Sequence, residues 1–436
     1  MFANSHTDFD IQPGRRSLTD FRRSRVLQGH SHQSTLILPF LARFVAFVTI
    51  AGLGLSLAGC SSTAKGGDGE AAPTQKQTTP EVPPPPVTWP LTGVVVDGSD
   101  AAGLEAVKKR PTVSVKIENS AAARPQSGLE VADIVYEEMI EGGSTRFNAV
   151  WHSTLPTSVG PVRSVRPVDV PLSLPLGGIL AFSGGQDDFI YEVRNSGMVG
   201  LDEDHVGKAA TRTRDRRMPH NLYYNTEMLA QNFGSELTAP KRQWPIVEPP
   251  VGGDAGDGAG GGTGAEATPS ASAEAKDSAG SPSSTSSPAT EEPADPTKPS
   301  AVSKGQPAAQ IIAKFPAHRA GWSWSGVAWL RYDDGVQSVA ASGTPLVAAN
   351  VVVLQVETFN TRYRDGAGSP VPDTKLLTSG KGWVASGGHI LPITWSKASN
   401  AESFQFTDEN GMPVVLNSGA TWVELVPING GLVEIS

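Results

Sequence analysis

The segment Gly160–Pro167 reads GPVRSVRP and places Arg163 and Arg166 three residues apart between two prolines, with Ser164 next to the first arginine. Proline restricts the backbone and removes an N–H donor, so we expect a rigid loop here rather than a helix. Planar guanidinium groups on a rigid loop suit the binding of carboxylates or phosphates. The segment therefore predicts an anion-binding loop.

A second polar group lies upstream, between residues 133 and 151. This stretch is typical of two strands joined by a tight glycine turn. Its polar residues of interest are Glu137, Glu141, Thr145 and Arg146. An arginine beside carboxylates across a hairpin is commonly a structural ion pair, and this interpretation stays open beside ligand binding.

Two further loops carry polar side chains. Near a tight turn, the first loop holds Asn119, Arg124 and Gln126, and Arg124 directly precedes a proline. The second loop, at 211–224, places four arginines ahead of His220, Asn221 and Tyr223. His220 followed by Asn221 fits either a general base with its orienting partner or an ordinary polar loop.

Several catalytic classes lack their sequence patterns. No G-x-S-x-G surrounds Ser164, and the sequence has neither metal-ligand spacing nor a phosphate-binding P-loop. We therefore predict no metal site and no cofactor. Glycan cleavage stays open, because Glu137 or Glu141 with His220 would supply an acid and a base, but it requires facing carboxyl groups at a defined separation.

The net charge and the cysteine content exclude several kinds of binding partner and covalent link. The 436 residues carry a formal net charge of −9. This balance argues against nucleic-acid binding, which needs a basic surface to release phosphate counterions. The single cysteine excludes an internal disulfide and a zinc site made of several cysteines.

That cysteine, Cys60, ends an export pattern. Arg43 precedes an apolar run from 44 to 57, and small residues lead up to Cys60, which is the order of a secretory signal. The tetrapeptide LAGC resembles the lipobox of bacterial lipoproteins, in which the cysteine is lipid-modified. A transmembrane anchor is the alternative. We predict a signal peptide at 1–59 and attachment to the extracytoplasmic side of the cell membrane through lipidated Cys60.

Two segments have compositions that do not support a packed core. Residues 60–90 are rich in Gly, Thr, Gln and Pro, and residues 245–310 are rich in Gly, Ser, Pro and Glu. We expect a disordered tether in the first segment. The second is expected to be a disordered acidic block, either a linker between domains or an insertion within one.

The range 91–244 is predicted to form an α+β domain with a mixed sheet. Residues 112–118 alternate as a half-buried strand, the hairpin follows, and 187–194 and 225–233 fit short helices.

The range 311–436 is predicted to be a mainly β domain. Short apolar runs such as 349–356 and 421–426 are separated by Gly and Asn turns. This spacing favours a small antiparallel barrel or a sandwich.

Several motifs together resemble those of the YerB-like lipoprotein family, a family of unknown function. They are IENSAAARPQSGLEVADIVYEEMIEGGSTRFNAVWHS, GPVRSVRP and MPHNLYYN in the first range, and NVVVLQV, GKGWVASGGHILPITWSK and SGATWVELVP in the second. The resemblance implies a bacterial surface lipoprotein with two extracytoplasmic domains and brings no activity. The family motif positions are Asn119, Arg124, Gln126, Asp133, Glu137, Glu141, Thr145, Arg146, Arg163, Ser164, Arg166, His220, Asn221 and Tyr223.

These features predict a lipid-anchored protein that binds an anionic envelope component, such as peptidoglycan or a wall polymer. The predicted ligand-binding residues are Asn119, Arg124, Gln126, Thr145, Arg146, Arg163, Ser164, Arg166, Asn221 and Tyr223. An envelope-glycan hydrolase or transferase using Glu137 or Glu141 with His220 is the alternative. A lipoprotein with a structural or partner-binding role is a third possibility.

Overall fold

A computed structural model describes residues 84–248 and 300–436. The predicted signal peptide, Cys60, residues 60–83 of the predicted tether and residues 249–299 of the predicted acidic block lie outside these described residues. The ends of the block, 245–248 and 300–310, belong to the fold, because Ile246, Val302 and Ala308 are buried there. The predicted bounds 245–310 were therefore too wide. Along the first described range the elements are α1 (Ala101–Lys109), β1 (Val113–Glu118), β2 (Ile134–Met139), β3 (Thr145–Trp151), α2 (Asp169–Ser173), β4 (Ile179–Ala181), α3 (Asp187–Asn195), β5 (Val199–Leu201), β6 (Ala210–Arg212), β7 (Leu222–Tyr224) and α4 (Thr226–Phe233).

Strands dominate the second described range. They are β8 (Ser300–Ala301), β9 (Gln306–Pro307), β10 (Gln310–Phe315), β11 (His318–Trp324), β12 (Trp329–Asp333), β13 (Val336–Gln337), β14 (Val347–Ala348), β15 (Asn350–Arg364), β16 (Pro370–Lys375), β17 (Ser379–Ser386), β18 (His389–Ser396), β19 (Gln405–Thr407), β20 (Val414–Val415), β21 (Thr421–Pro427) and β22 (Leu432–Ile435).

The largest sheet draws strands from both described ranges. Its twelve strands include the path β19-β18-β17-β15-β21-β2-β3-β1-β4-β5, with β16 beside β15 and β9 beside β18. Strand β21 lies between β15 and β2 and runs parallel to both, so that Val423 stands opposite Val352 and Tyr136. All seven residues of β21 are buried, as expected for a strand covered on both faces. A strand near the end of the chain therefore joins the two ranges in one sheet.

The two faces of this sheet support separate cores. One face packs against a six-stranded sheet of order β13-β12-β11-β10-β22, in which β14 also pairs with β12. Across this interface Trp422 meets Trp322 edge to face, with ring centroids 5.2 Å apart. On the other face, Tyr136 and Val150 pack with Leu172 of α2. The α+β class of the first range and the mainly β class of the second are confirmed. No closed barrel occurs within residues 300–436.

The predicted hairpin is confirmed, and its turn also makes a contact across the sequence. Strands β2 and β3 pair antiparallel, and Gly142 and Gly143 have φ angles of 71° and 76°. A Cβ on Gly143 would lie 2.6 Å from Cβ of Pro316. The backbone N–H of Ala317 donates to the Gly143 carbonyl at 2.9 Å. Glycine is therefore required here both by the turn and by the close approach of β10–β11.

The two segments that flank residues 249–299 lie at one place in the fold. Ile246 forms a parallel bridge with Leu416, and Ser300 pairs with Val414. Both segments therefore lie against the same short stretch, 414–416. Ile246 and Val302 are both buried in the core beside that stretch.

Replacing 249–299 with a short Gly/Ser linker is expected to preserve the fold, because the ends of the block already lie side by side. Closing a shorter loop costs less conformational entropy. The free energy of unfolding should therefore rise by about 0.6 kcal/mol for each halving of loop length. Denaturant unfolding measures this change. A matched replacement of 246–302 removes Ile246 and Val302 from the core and should destabilise by about 2–5 kcal/mol. If replacing 249–299 destabilises the protein as much as replacing 246–302, this account is contradicted.

Candidate functional site

The end of β1 separates two polar clusters, because successive side chains of a strand point to opposite faces. Glu118 projects to the side where Arg163 and His220 lie. Asn119 projects to the other side, toward Glu137. The residues predicted from the sequence are therefore divided between two places rather than gathered in one.

Glu118 is the centre of the first cluster. Arg163 Nη2 donates to its Oε1 at 2.8 Å, Ser120 Oγ donates to the same oxygen at 2.7 Å, and His220 Nδ1 lies 2.8 Å from its Oε2. Burial alone would raise the pKa of Glu118, but the hydrogen bonds from Arg163, Ser120 and His220 lower it below its usual value. Glu118 is therefore an ionised carboxylate that orients the His220 ring.

Arg166 is held by a different carboxylate. Its Nε and Nη2 donate to the two oxygens of Glu141 at 2.6 and 2.8 Å, and its Nη1 donates to the Val165 carbonyl at 2.9 Å. This bidentate geometry is the strong form of an arginine–carboxylate pair. Each of the two arginines in GPVRSVRP therefore faces a neighbouring glutamate, and only Arg163 keeps a fifth of its side chain exposed, 19% against 10% for Arg166.

Arg146 completes this group, and we call Arg146, Arg163 and Arg166 the arginine cluster. The side chain of Arg146 donates to the Ser164 carbonyl at 3.1 Å. Within 84–248 and 300–436, no carboxylate lies within ion-pair distance of it. Burial, followed by the charge of Arg166, lowers the pKa of Arg146 to about 10. Arg146 is thus a partly buried cation beside two other cations.

The hairpin ion pair considered for Arg146 with Glu137 or Glu141 does not form. Glu137 projects to the opposite face of the sheet, because its register partner is Phe147 and not Arg146. Glu141 is engaged by Arg166.

The second cluster lies where the six-stranded sheet meets the long one, and Arg331 of β12 is at its centre. Arg331 donates to Glu137 Oε2 at 2.5 Å, to Asp333 Oδ1 at 2.9 Å and to Glu424 Oε1 at 2.7 Å. Its side chain is completely buried. The guanidinium carbon also lies 5.2 to 5.6 Å from the ring centroids of three aromatic residues, which are Phe147, Trp322 and Trp422.

His318 and Asn119 extend this network. His318 Nε2 lies 3.1 Å from Glu137 Oε1. Asn119 Nδ2 donates to the same oxygen at 3.0 Å and to Thr145 Oγ1 at 2.9 Å. Burial would lower the pKa of His318, but Glu137 and Asp333 raise it to about 10. Arg331 and His318 in turn hold the pKa of Glu137 well below its usual value, although burial opposes them. Two predicted residues, Asn119 and Thr145, therefore belong to a buried network.

Glu424 is the second carboxylate beside Arg331. Burial and the negative charge of Glu137 raise the pKa of Glu424 well above its usual value. Trp322 Nε1 donates to its Oε1 at 3.0 Å. One of the two glutamates is therefore ionised and the other holds its proton.

Arg124 lies at the partly exposed rim of this network, and Gln126 is buried beside it. Arg124 Nη1 donates to Asp334 Oδ2 at 3.0 Å, and its Nη2 donates to the Asn119 carbonyl at 2.9 Å. Gln126 Nε2 donates to the Glu118 carbonyl at 3.0 Å. A cavity of about 440 Å³ opens beside them and is lined by Arg124, Gln126, Asp333, Asp334, Val336 and Val339.

The remaining motif positions have structural contacts. Arg212 Nη1 donates to Asn221 Oδ1 at 2.8 Å. Tyr223 is buried, burial raises its pKa, and a Cβ on Gly160 would lie 2.7 Å from its ring. Asp133 accepts the backbone N–H of Ser153 at 2.9 Å and closes the open end of the hairpin.

Several residues of these clusters escaped prediction from the sequence. They are Glu118, His318, Arg331, Asp333 and Glu424. Glu118 alternates with the apolar residues of β1 and therefore fits the pattern of a solvent-facing residue. This pattern does not predict which side chains Glu118 contacts. The others lie in the second range, where only the strand pattern was informative.

In the described ranges, no group of three or more His, Cys, Asp or Glu side chains is arranged to hold a metal ion. None of the helices described there is long and apolar enough to cross a membrane.

The chain matches the models of both domains of one known protein family. Residues 91–239 match the model described as "Protein of unknown function (DUF3048) N-terminal domain", and residues 311–423 match the corresponding C-terminal domain. The chain belongs to this family. A 137-residue stretch is 38% identical to "Putative lipoprotein YerB" of Bacillus subtilis (strain 168), covering 31% of this chain. That match spans 39% of the relative's own length.

The crystal structure of the YerB protein from Bacillus subtilis shows the same fold. The superposition has a TM-score of 0.58 and covers 80% of this chain and 99% of that chain, at 20% sequence identity. The resemblance to the YerB-like family is confirmed, and with it the two family regions. The relative's name describes a lipoprotein of unstated activity.

The raised pKa of His318 makes the stability of this YerB-like chain depend on pH. His318 has a pKa of about 10 in the folded state and about 6.5 in the unfolded state. Its protonation therefore stabilises the fold to the full extent below pH 6.5. That stabilisation is lost as the pH rises through about 10. The difference in unfolding free energy between wild type and His318→Gln should therefore shrink across this window and stay constant just below it.

Chemical denaturation in buffers across this window measures that difference. His389→Gln is a matched control, because His389 contacts the Gly387 carbonyl in an exposed turn. A His318→Gln difference that does not change with pH would contradict the assignment of a protonated His318.

Proposed function

We propose that this chain is a lipid-anchored envelope protein whose arginine cluster binds an anionic group of an envelope polymer. Arg146 is the observation that carries the proposal. It is a partly buried cation whose side chain makes one hydrogen bond among the described residues, to a backbone carbonyl. An arginine has five N–H donors, and buried charges are normally paired. An incoming carboxylate or phosphate would supply the missing partner.

The local charge supports an anion rather than a neutral ligand. Three arginines of the cluster face two carboxyl groups, those of Glu118 and Glu141. One positive charge is left over, and it resides on Arg146. Arg163 Nε is also buried without a hydrogen-bond partner among the described residues, which adds an unsatisfied donor on the same side.

The expected localisation at the cell membrane is consistent with a ligand in the cell envelope. The export pattern ending at Cys60 predicts lipid attachment, and a family relative is named a lipoprotein. Two or more acyl chains, as expected for a lipoprotein, would hold the protein stably at the membrane. The anionic polymers of the envelope, such as peptidoglycan with its peptide carboxylates or a phosphorylated wall polymer, would lie within its reach.

The geometry does not favour the alternative of glycan cleavage by Glu137 or Glu141 with His220. Glu137 is completely buried against Arg331, and Glu141 is held at both oxygens by Arg166. The carboxylate partner of His220 is Glu118. Facing acids on an open cleft, which this chemistry requires, are not formed by these residues.

Replacing Arg146 with Gln should weaken binding to envelope polymer. A charged hydrogen bond contributes about 1.5–3 kcal/mol, so the loss of affinity should be about tenfold or more. Co-sedimentation with purified peptidoglycan, with and without its phosphorylated wall polymer attached, measures binding and separates the two anion sources.

Arg212→Gln is the matched control, since Arg212 is partly exposed and already paired with Glu203. The control should bind as wild type does. If Arg146→Gln also binds as wild type does, or if wild type binds neither preparation, the anion-binding role of the cluster is wrong.

A further inference from the structure

A completely buried lysine lies between two carboxylates on the face of the long sheet that α2 covers. Lys116 of β1 contacts Glu138 of β2, and its Nζ lies 2.8 Å from Oδ1 of Asp169 in α2. The side chains of all three residues have no exposed surface. Ions removed from water in this way are costly unless each charge is well compensated.

Asp169 is polarised at both of its oxygens. Asn148 Nδ2 donates to Oδ1 at 2.9 Å, and the backbone N–H of Arg166 donates to Oδ2 at 2.7 Å. Donors fixed in a dry site stabilise negative charge that develops on oxygen when a carbonyl carbon is attacked. The Asp169 carboxyl carbon is therefore the better electrophile of the two carboxylates.

Glu138 has the properties of an acid rather than of an electrophile. Its Oε1 faces Lys116, while its Oε2 is buried without a hydrogen-bond partner among the described residues. Burial, followed by the charge of Asp169, raises the pKa of Glu138 to about 7. A carboxyl group that is partly protonated near neutrality can both give and accept a proton.

We propose that Lys116 and Asp169 form an intramolecular isopeptide bond, with Glu138 as the group that transfers protons. The geometry supports it through proximity, since the amine and the carboxyl group are already in contact and sealed from water. Nothing outside the three side chains is consumed.

The reaction balances as a condensation. A proton first passes from the Lys116 ammonium to the Asp169 carboxylate, leaving a neutral amine and a neutral acid. Nζ then attacks Cγ of Asp169, and Glu138 accepts a proton from the nitrogen while giving its own to the departing hydroxyl. The C–O bond breaks, one water leaves, and Glu138 ends protonated as it began.

The product removes a buried ion pair and adds a covalent cross-link between β1 and α2. A chain with a single cysteine has no internal disulfide available for this purpose. Cross-links of this kind stabilise a fold mainly by restricting the unfolded chain. The bond would also hold Arg166 in place, because the backbone N–H of Arg166 donates to Asp169.

Mass spectrometry of the purified full chain, denatured and digested with trypsin, tests the proposal. The expected result is one branched peptide that joins the Lys116 and Asp169 segments and is one water lighter than the sum of its parts. Trypsin should also fail to cleave after Lys116. Lys116→Arg and Glu138→Gln should each give the unlinked peptides, because the first lacks the amine and the second lacks the acid.

The wild-type digest decides the question even if either variant folds poorly. Separate, unmodified peptides from wild type would overturn the proposal and leave a buried ion pair. A link from Lys116 to Glu138 or to Asn148 would overturn the assignment of Asp169 as the electrophile.

Discussion

The buried Arg331 guanidinium is the interaction on which the rest of the fold depends. It contacts Glu137 of the first described range and Glu424 and Asp333 of the second. The aromatic rings of Phe147, Trp322 and Trp422 surround it. Removing one partner of such a network leaves the other charges buried and uncompensated, which is strongly destabilising. The two regions named as separate domains of the family are therefore parts of one polar and aromatic core.

The sheet order explains why this network forms. Because β21 inserts between β15 and β2, Glu424 is brought directly opposite Glu137 in a parallel register. Two carboxylates at adjacent positions of buried strands need a cation between them, and β12 supplies it from the facing sheet. Protonation of one glutamate and of His318 then balances the charge. The same arrangement fixes the end of β1, which positions Glu118 and the arginine cluster on the opposite face.

Local patterns were enough to predict many elements. The alternation of Val113, Val115 and Ile117 predicted β1, the paired glycines predicted the β2–β3 turn, and α3 and α4 appeared where expected. The partners of the polar residues were not predictable, because Glu137 and Arg331 are separated by 194 positions and no periodicity encodes that contact. The same limit applies to Arg163 and Arg166. Their rigid loop was visible in the sequence, but the glutamates that hold them were fixed only by strand register.

The two family regions should unfold as one cooperative unit, because both depend on Arg331. Amide hydrogen exchange read from peptides in β1 and in β18 measures the free energy of opening in each region separately. In wild type the two values should agree, and Arg331→Met should lower both equally, by about 3–5 kcal/mol. The exposed Arg319→Met should change either value by less than about 0.5 kcal/mol. Opening energies that differ in wild type, or an Arg331→Met effect confined to one region, would contradict the account.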